Sequence, residues 1–330
     1  MKLSRLGEFG LIERIRTRAA AGRGVRIGIG DDAAWVANPA GSSLVTADLL
    51  IEGVHFDLGW ISLFELGYKS LAVNLSDIAA MGGAPAYALL SLGIPANFDS
   101  KQIDELYRGI NALARQTGVA IVGGDTNVAG SLIISVCVVG HPPKRPVLRS
   151  GARVGDDIYI TGTLGDSALG MSFLKRGLKQ SKNKSINHLI RRHHRPAPRI
   201  AAGALLARRR LATAMIDVSD GLLQDLGHIC EASKVGGVIW HERLPLSPAY
   251  RALAGSNGTS LALSGGEDYE LLFCARPSDR ARIERLAKPA GVAITRIGVC
   301  VPAGRGIQVM DRSGKAISTR FKGHDHFKRP

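Results

Sequence analysis

Cysteine is scarce: the chain has 4 in 330 residues. Cys137, Cys230, Cys274 and Cys300 lie far apart and form no C-x-x-C pair. That excludes a dense disulfide framework and a zinc site of paired cysteines, and leaves buried thiols in a reducing cytoplasm as the expectation. Aromatic residues make up only 5%, and none is interleaved with the basic run Arg191–Arg195 (RRHHR). Base stacking there lacks its platform, so no nucleic-acid partner is expected and the run reads as a solvated face or a helix start. Apolar runs are short, and none approaches the 18 residues of a membrane span. The first segment, MKLSRLGEFGLIERI, carries Glu8 and Glu13 and lacks an uninterrupted apolar core, which argues against a secretion signal. A cytoplasmic protein with no membrane partner is therefore expected.

Acids are also in short supply, 28 against 43 Lys and Arg, for a formal charge of +15. Such a balance suits an anionic partner or a solvated basic surface, and charge alone favours the second. Several signatures are missing. The sole Gly-Lys pair, Gly314-Lys315, is followed by Ala316, so there is no G-x-x-x-x-G-K-[ST]; there is no G-x-G-x-x-G either. A Walker-type or Rossmann nucleotide site is excluded on those grounds. Without H-E-x-x-H or G-x-S-x-G, zinc-protease and serine-hydrolase readings also fall away.

What the chain does have is length for two domains and 40 glycines that follow no collagen-like period. The segment Pro142–Gly155 (PPKRPVLRSGARVG) separates two strand-like runs, Ser131–Gly140 and Asp157–Thr161. It places a domain break between about residues 140 and 155, giving units 1–148 and 149–330. Lys175–Arg199 is polar and basic and reads as a surface loop followed by a helix start.

Four segments share one layout, an apolar run leading into aspartate: Ile27–Asp32, Leu44–Asp48, Ile121–Asp125 and Met215–Asp220. They read as strands ending in acidic loops at one sheet edge. Leu63–Met81 has helical apolar spacing and stops at Gly82-Gly83-Ala84-Pro85. Within it Ser70, Asn74 and Asp77 form one polar stripe, which must face water or a site. Val218–Ala232 is a further helix candidate with Ser219 or Asp220 near its start.

Asp31, Asp32, Asp48, Asp77, Asp125, Asp217 and Asp220 are the strongest chemical signal. Each alone has an ordinary explanation as a turn or cap residue. If several converge, their repulsion must be offset, and hard divalent cations do this through carboxylate oxygen. Mg²⁺ also borrows phosphate oxygens, which points to phosphoryl chemistry. Gly123-Gly124-Asp125-Thr126 and Gly265-Gly266-Glu267-Asp268 are turns that would let backbone N–H groups approach a phosphate. Arg149, between the two halves, could grip a phosphate bidentately or lie on the surface. His55 could meet a ligand or be structural.

Taken in order, GIGDDAA, TADLLIEGVHF, KSLAVNLSDIAAMGGAP, IVGGDT, LRSGARVGD, TGTLGDSALG, RPAPRI, IDVSDGLLQDLGHI, LSGGEDYELLF and GHDHF resemble the thiamine-monophosphate kinase family, within the aminoimidazole ribonucleotide synthetase-like superfamily. The resemblance runs from Glu8 to Phe327. It implies an α+β fold of two domains: an N-terminal dimerising α/β domain that holds ATP and Mg²⁺, and a C-terminal α/β domain with a mixed sheet. It also implies a homodimer, with ATP and several Mg²⁺ near the subunit interface. The implied activity is ATP-dependent phosphorylation of thiamine monophosphate to thiamine diphosphate, the last step of that cofactor's biosynthesis. Carried over by motif, Asp32, Thr46, Asp48, Asp77, Asp125, Asp217 and Asp220 would be metal ligands. Gly124, Asp125, Arg149 and Ser219 would touch the nucleotide; His55, Glu267 and Phe327 would line the thiamine phosphate site. No catalytic base is implied beyond metal and phosphate positioning. The chain departs from the family pattern at Ala47, where a second hydroxyl residue is common, and at His324, where an aromatic is common. Two competing readings are a related superfamily member, such as a selenophosphate synthetase or a hydrogenase-maturation factor, and a non-catalytic RNA- or nucleotide-binding protein. The first synthetase type uses a reactive Cys near its start, whereas the first Cys here is Cys137 in an apparent strand.

Overall fold

The computed structural model describes residues 3–17, 24–39, 41–255 and 258–317. In chain order the elements are α1 Leu3–Arg16, β1 Val25–Ile27, β2 Ala34–Asn38, β3 Gly41–Ile51, α2 Leu63–Ala80, β4 Ala84–Ile94, α3 Ser100–Thr117, β5 Ala120–Val128 and β6 Ile133–His141. After a connection without regular structure come β7 Asp157–Thr161, α4 Asp166–Lys175, α5 Lys184–His194, α6 Ile200–Arg208, β8 Ala214–Asp217, α7 Leu222–Ser233 and β9 Val235–Trp240. The last group includes α8 Pro248–Leu253, α9 Gly258–Ser264, β10 Leu271–Ala275, β11 Ile294–Pro302, β12 Ile307–Met310 and β13 Ala316–Ile317.

Among the described residues the strands form two sheets, ordered β1-β2-β3-β6-β4-β5 and β13-β12-β9-β11-β7-β10-β8. Each is mixed: β4–β5 is the parallel pair of the first, and β9–β12 that of the second. Every strand of the first sheet precedes residue 142 and every strand of the second follows residue 156. The alternation of the first sheet is clear in its pairing rows. Asp48, Val136 and Leu90 stand in one row, Leu49, Ser135 and Ser91 in the next. Leu90 and Val136 are buried, whereas Leu49, Tyr87 and Leu89 are exposed. One face therefore carries the core with α2 and α3, and the other is uncovered within the protomer.

Helix α2 is the central element. Ser62 caps its start, accepting from the Glu65 N–H, and most of its length is buried. It meets α3 very closely: a Cβ on Gly67 would come within 2.0 Å of the Leu106 carbonyl, and one on Gly109 within 1.8 Å of the Phe64 carbonyl. Only glycine at both positions lets the backbones approach that far. On another side α2 packs against α6 of the second half. The polar stripe Ser70-Asn74-Asp77 faces the strand β3: Asn74 Oδ1 accepts the Asp48 N–H at 3.0 Å. The stripe thus points into a site and not to water.

Three expectations from the sequence need correction. Asp48 and Asp125 sit in the interior of long strands, not in loops after them, because Leu49–Ile51 and Thr126–Val128 continue the β pattern. Helix α7 begins at Leu222 after Gly221, later than Val218, because Val218 still belongs to the sheet margin and donates its N–H to the Glu270 carbonyl. The RRHHR run ends α5 and does not start a helix, and His193 and His194 are buried. Basic residues in a last turn suit the helix dipole, but these side chains also have acid partners, given below. Of the cysteines, Cys230, Cys274 and Cys300 are buried free thiols and Cys137 is half-buried. No described helix is long and apolar enough to cross a membrane.

Candidate active site

The site forms where the two halves meet. Asp31 and Asp32 follow β1, Thr46 and Asp48 lie two apart on one face of β3, Asp77 lies in the last turn of α2, and Asp217 ends β8. Asp32, Asp77 and Asp217 each bring a carboxylate oxygen within 4.8 Å of the others. Asp32 and Asp217 are buried. Neighbouring hydroxyls orient the group: Thr46 Oγ donates to Asp77 Oδ2 at 2.6 Å, and Ser76 Oγ donates to Asp217 Oδ2 at 2.6 Å. Ala47 falls between Thr46 and Asp48 and pairs with Cys137, so it occupies the opposite face of β3.

Among the described residues a cation faces this group. Arg149 Nη2 donates to Asp32 Oδ1 at 3.0 Å, and its backbone N–H donates to Asp31 Oδ2 at 3.2 Å. It does not neutralise the cluster. Burial, then repulsion from Asp32, pushes Asp31 up to about 7. Burial pushes Asp48 up to about 6, and burial with the Asp32 charge pushes Asp217 up to about 8. Asp77 is raised well above the carboxylate range by burial and by Asp48, Asp217 and Asp32 together. Several converging oxygen donors with a surplus of negative charge, and no sulfur or imidazole among them, suit a hard divalent cation such as Mg²⁺. The residues present fit that ion.

A second group lies at the start of α7. Asp220, Asp225 and His228 place ligand-type atoms within 4.8 Å of one another. Asp225 Oδ2 accepts the N–H groups of Asp220 at 3.2 Å and Gly221 at 3.0 Å, serving the helix start that Gly221 cannot cap itself. Gln224 Nε2 donates to Asp220 Oδ2 at 2.8 Å.

The structure does not bring Asp125 to the first group. It stands on edge strand β5 beside Ser91, in the row of Ser135 and Leu49, on the face opposite Asp48. It is exposed and accepts from Asn127 Nδ2 at 2.8 Å. Gly124 lies against β4, where a Cβ would come within 1.7 Å of the Leu90 carbonyl, so this backbone admits no side chain. Ser219 is part-exposed, and its carbonyl accepts the Glu267 N–H at 2.7 Å, which joins the loop after β8 to the Gly-Gly turn.

His55 and Glu267 come close enough for His55 to act on the Glu267 charge. The Ile51 N–H donates to His55 Nδ1 at 3.0 Å, which leaves the ring proton on Nε2. Glu267 has a left-handed backbone, φ 65°, and meets Lys69 and His193. Phe327 and His324 lie outside the described residues. Sequence reasoning missed Lys69, Ser76, His193 and Asp225. The signal for Lys69 was available: a lysine inside an apolar helical pattern calls for a buried acid elsewhere.

Residues 30–141 match the family model of the AIR synthase related protein N-terminal domain, and residues 153–310 match that of the C-terminal domain. Thiamine-monophosphate kinase of Salmonella typhimurium is 40% identical over 328 residues, covering 98% of this chain and 99% of that protein. A solved structure described as AaThiL complexed with AMPPCP and TMP superposes with a TM-score of 0.86 at 35% identity, covering 99% of both chains. Thiamine-monophosphate kinase from Stenotrophomonas maltophilia superposes with a TM-score of 0.79 at 40% identity, over 94% of this chain and 98% of that one. This chain belongs to the thiamine-monophosphate kinase family of AIR synthase related proteins.

Proposed function

We propose that the protein transfers the γ-phosphoryl group of ATP to thiamine monophosphate, giving ADP and thiamine diphosphate. The observation that carries this reading is the convergence of Asp32, Asp77 and Asp217 beside Arg149. The relatives' names and the AaThiL complex with an ATP analogue and TMP support it. In the reaction the bond from Pγ to the bridging oxygen of ATP breaks, and a phosphate oxygen of thiamine monophosphate bonds to Pγ. That acceptor, with a second pKa near 6, is already an anion at neutral pH and needs no base. Repulsion between two polyanions is the main obstacle.

The chain's residues are arranged against that obstacle. Asp32, Thr46, Asp48, Asp77 and Asp217 would hold Mg²⁺ in this reading, with Asp220 a further ligand at the start of α7. An ion held there would supply charge neutralisation for the phosphate groups of the reactants. Arg149, forked onto Asp32, has the planar geometry to pair with a phosphate instead. Gly124, Arg149 and Ser219 would touch the nucleotide in this reading, and His55, Glu267 and Phe327 would line the acceptor's ring end.

A homodimer formed by unit 1–148 belongs to the same reading, with unit 149–330 completing each site. The uncovered sheet face supports it: Leu49, Tyr87 and Leu89 are exposed there, next to an edge strand carrying exposed Val122 and Val128. Apolar patches of this kind mark association surfaces. Asp125 stands on that face, so it would act at the subunit interface. The cytoplasm is the compartment proposed.

The direct test supplies purified protein with ATP, Mg²⁺ and equal thiamine or thiamine monophosphate, and separates products by chromatography. Thiamine diphosphate formed only from the monophosphate is expected. Preference for free thiamine, or turnover that survives complete chelation, would overturn the reading.

A further inference from the structure

Lys69 sits on α2 with 1% of its side chain exposed, among residues that are mostly apolar. A lysine there costs several kcal/mol unless an acid meets it, by the general penalty for burying an ion, on the order of that size. The acid is Glu267, reached across the two halves of the chain: Lys69 Nζ lies 2.8 Å from Glu267 Oε1. The other carboxylate oxygen lies 3.2 Å from His193 Nδ1, on α5, and that nitrogen is also 3.0 Å from Ser167 Oγ. Glu267 keeps 28% of its side-chain exposure, so a ligand can reach it, whereas neither Lys69 nor His193 is open to one. Burial would raise the Glu267 carboxyl, but Lys69 first and then His193 outweigh it and hold the group at about 2. Burial pushes His193 down to about 3, so it meets Glu267 as a neutral ring.

Both carboxylate oxygens therefore have a nitrogen behind them, Lys69 Nζ from a helix of the first half as the ion pair and His193 Nδ1 from a helix of the second as a close neighbour. The backbone of Glu267 is fixed as well, by its N–H on the Ser219 carbonyl at 2.7 Å and its positive φ. We propose that Lys69 is a positioning residue that acts through Glu267: it sets the orientation in which that carboxylate meets the acceptor substrate, without touching the substrate itself. The proposal rests on Glu267 being a substrate residue. A plain core ion pair would instead affect only how well the protein folds.

The test is steady-state kinetics on the full chain with Mg²⁺, ATP and thiamine monophosphate, for Lys69→Met, Glu267→Gln and the double variant. Each single change is expected to raise KM for thiamine monophosphate about tenfold, with the KM for ATP moved less than about twofold. In the double variant Lys69→Met should add less than about a factor of two to the effect of Glu267→Gln, because its route of action is already gone. An unchanged KM for the monophosphate in Lys69→Met overturns the proposal. So do losses that multiply in the double variant, since Lys69 would then act independently. If either single variant does not fold, the double variant decides, as it leaves no uncompensated buried charge: a KM within about twofold of the single variant that does fold supports positioning, and one about tenfold higher refutes it. An unchanged KM in Glu267→Gln removes the substrate role of Glu267 and the proposal with it. Absence of any wild-type turnover of the monophosphate instead removes the kinase reading itself.

Discussion

Two groups of buried acids in this molecule are built on opposite plans. In the second sheet and its helices, the buried acids Asp157 and Glu270 have their counter-charges within the chain. Asp157 is paired by Arg280 at 2.6 Å and by Arg296 at 3.0 Å, and Glu270 is paired by Arg192 and Arg199. Thr161 Oγ also donates to Glu270, at 2.7 Å. At the meeting of the two halves, Arg149 bonds Asp32 alone among the four acids Asp32, Asp48, Asp77 and Asp217, and Asp48, Asp77 and Asp217 are pushed upward. The first plan is complete as folded, and its removal costs stability. The second is left incompletely neutralised as folded, which suits the metal and phosphate site proposed for it. Glu267 lies between them: paired like a structural acid, yet partly open like a site acid.

The sharpest break in that contrast should come from substitution in the unneutralised group. Asp77→Asn and Asp48→Asn should each cost on the order of a hundredfold or more in kcat/KM, since metal-assisted charge stabilisation is worth several kcal/mol. Neither should lower Tm in the absence of metal, because each removes a buried acid that burial or its neighbours already disfavour as an ion. A fall in both quantities would return these residues to a structural role. Glu270→Gln should do the reverse and destabilise by about 3–5 kcal/mol in urea unfolding, because it strands Arg192 and Arg199 partly buried. A variant with wild-type stability would show that the Glu270 network contributes little.

pH sharpens the comparison with a smaller effect. Asp48 and Asp217 must lose protons to bind metal, so Mg²⁺ affinity should rise between pH 6 and 8, roughly tenfold per unit for each proton released. The metal-free protein has the opposite sign. These raised groups hold protons in the folded state that the unfolded chain has already lost above about pH 4, so the stability they contribute declines as pH rises through 6 to 8. Melting curves with and without Mg²⁺ should therefore diverge as pH increases, and parallel curves would count against the site. Ser76→Ala is the mildest change. It removes only the hydroxyl that orients Asp217, and should weaken Mg²⁺ binding about tenfold with little change in unfolding.

Much of the site was legible in sequence because its residues sit in short local motifs. Thr46 and Asp48 share a strand face by period two, and Ser70, Asn74 and Asp77 share a helix face by period 3.6. Those periods predicted α2 to within a residue at its C-terminal end. The basic run at 191–195 was misread because its partners are remote. Glu65 meets His194 at 3.1 Å, Glu267 meets His193, and Glu270 meets Arg192, each from a distant part of the chain. Charge composition cannot show such pairings, so a run whose middle is buried against remote acids looked like a solvated face throughout.

The sequence by itself determined the two sheet-forming halves, the long apolar helix between strands, and which aspartates were candidates for chemistry, because backbone periodicity and turn residues are local properties. Only the tertiary structure decided which of those aspartates meet. It set Asp32, Asp77 and Asp217 together, kept Asp125 on the opposite sheet face, and closed Lys69 onto Glu267. The physical reason is that convergence depends on strand order and helix packing across the two halves, and the low local dielectric that makes a carboxylate need a cation exists only once those surfaces have excluded water.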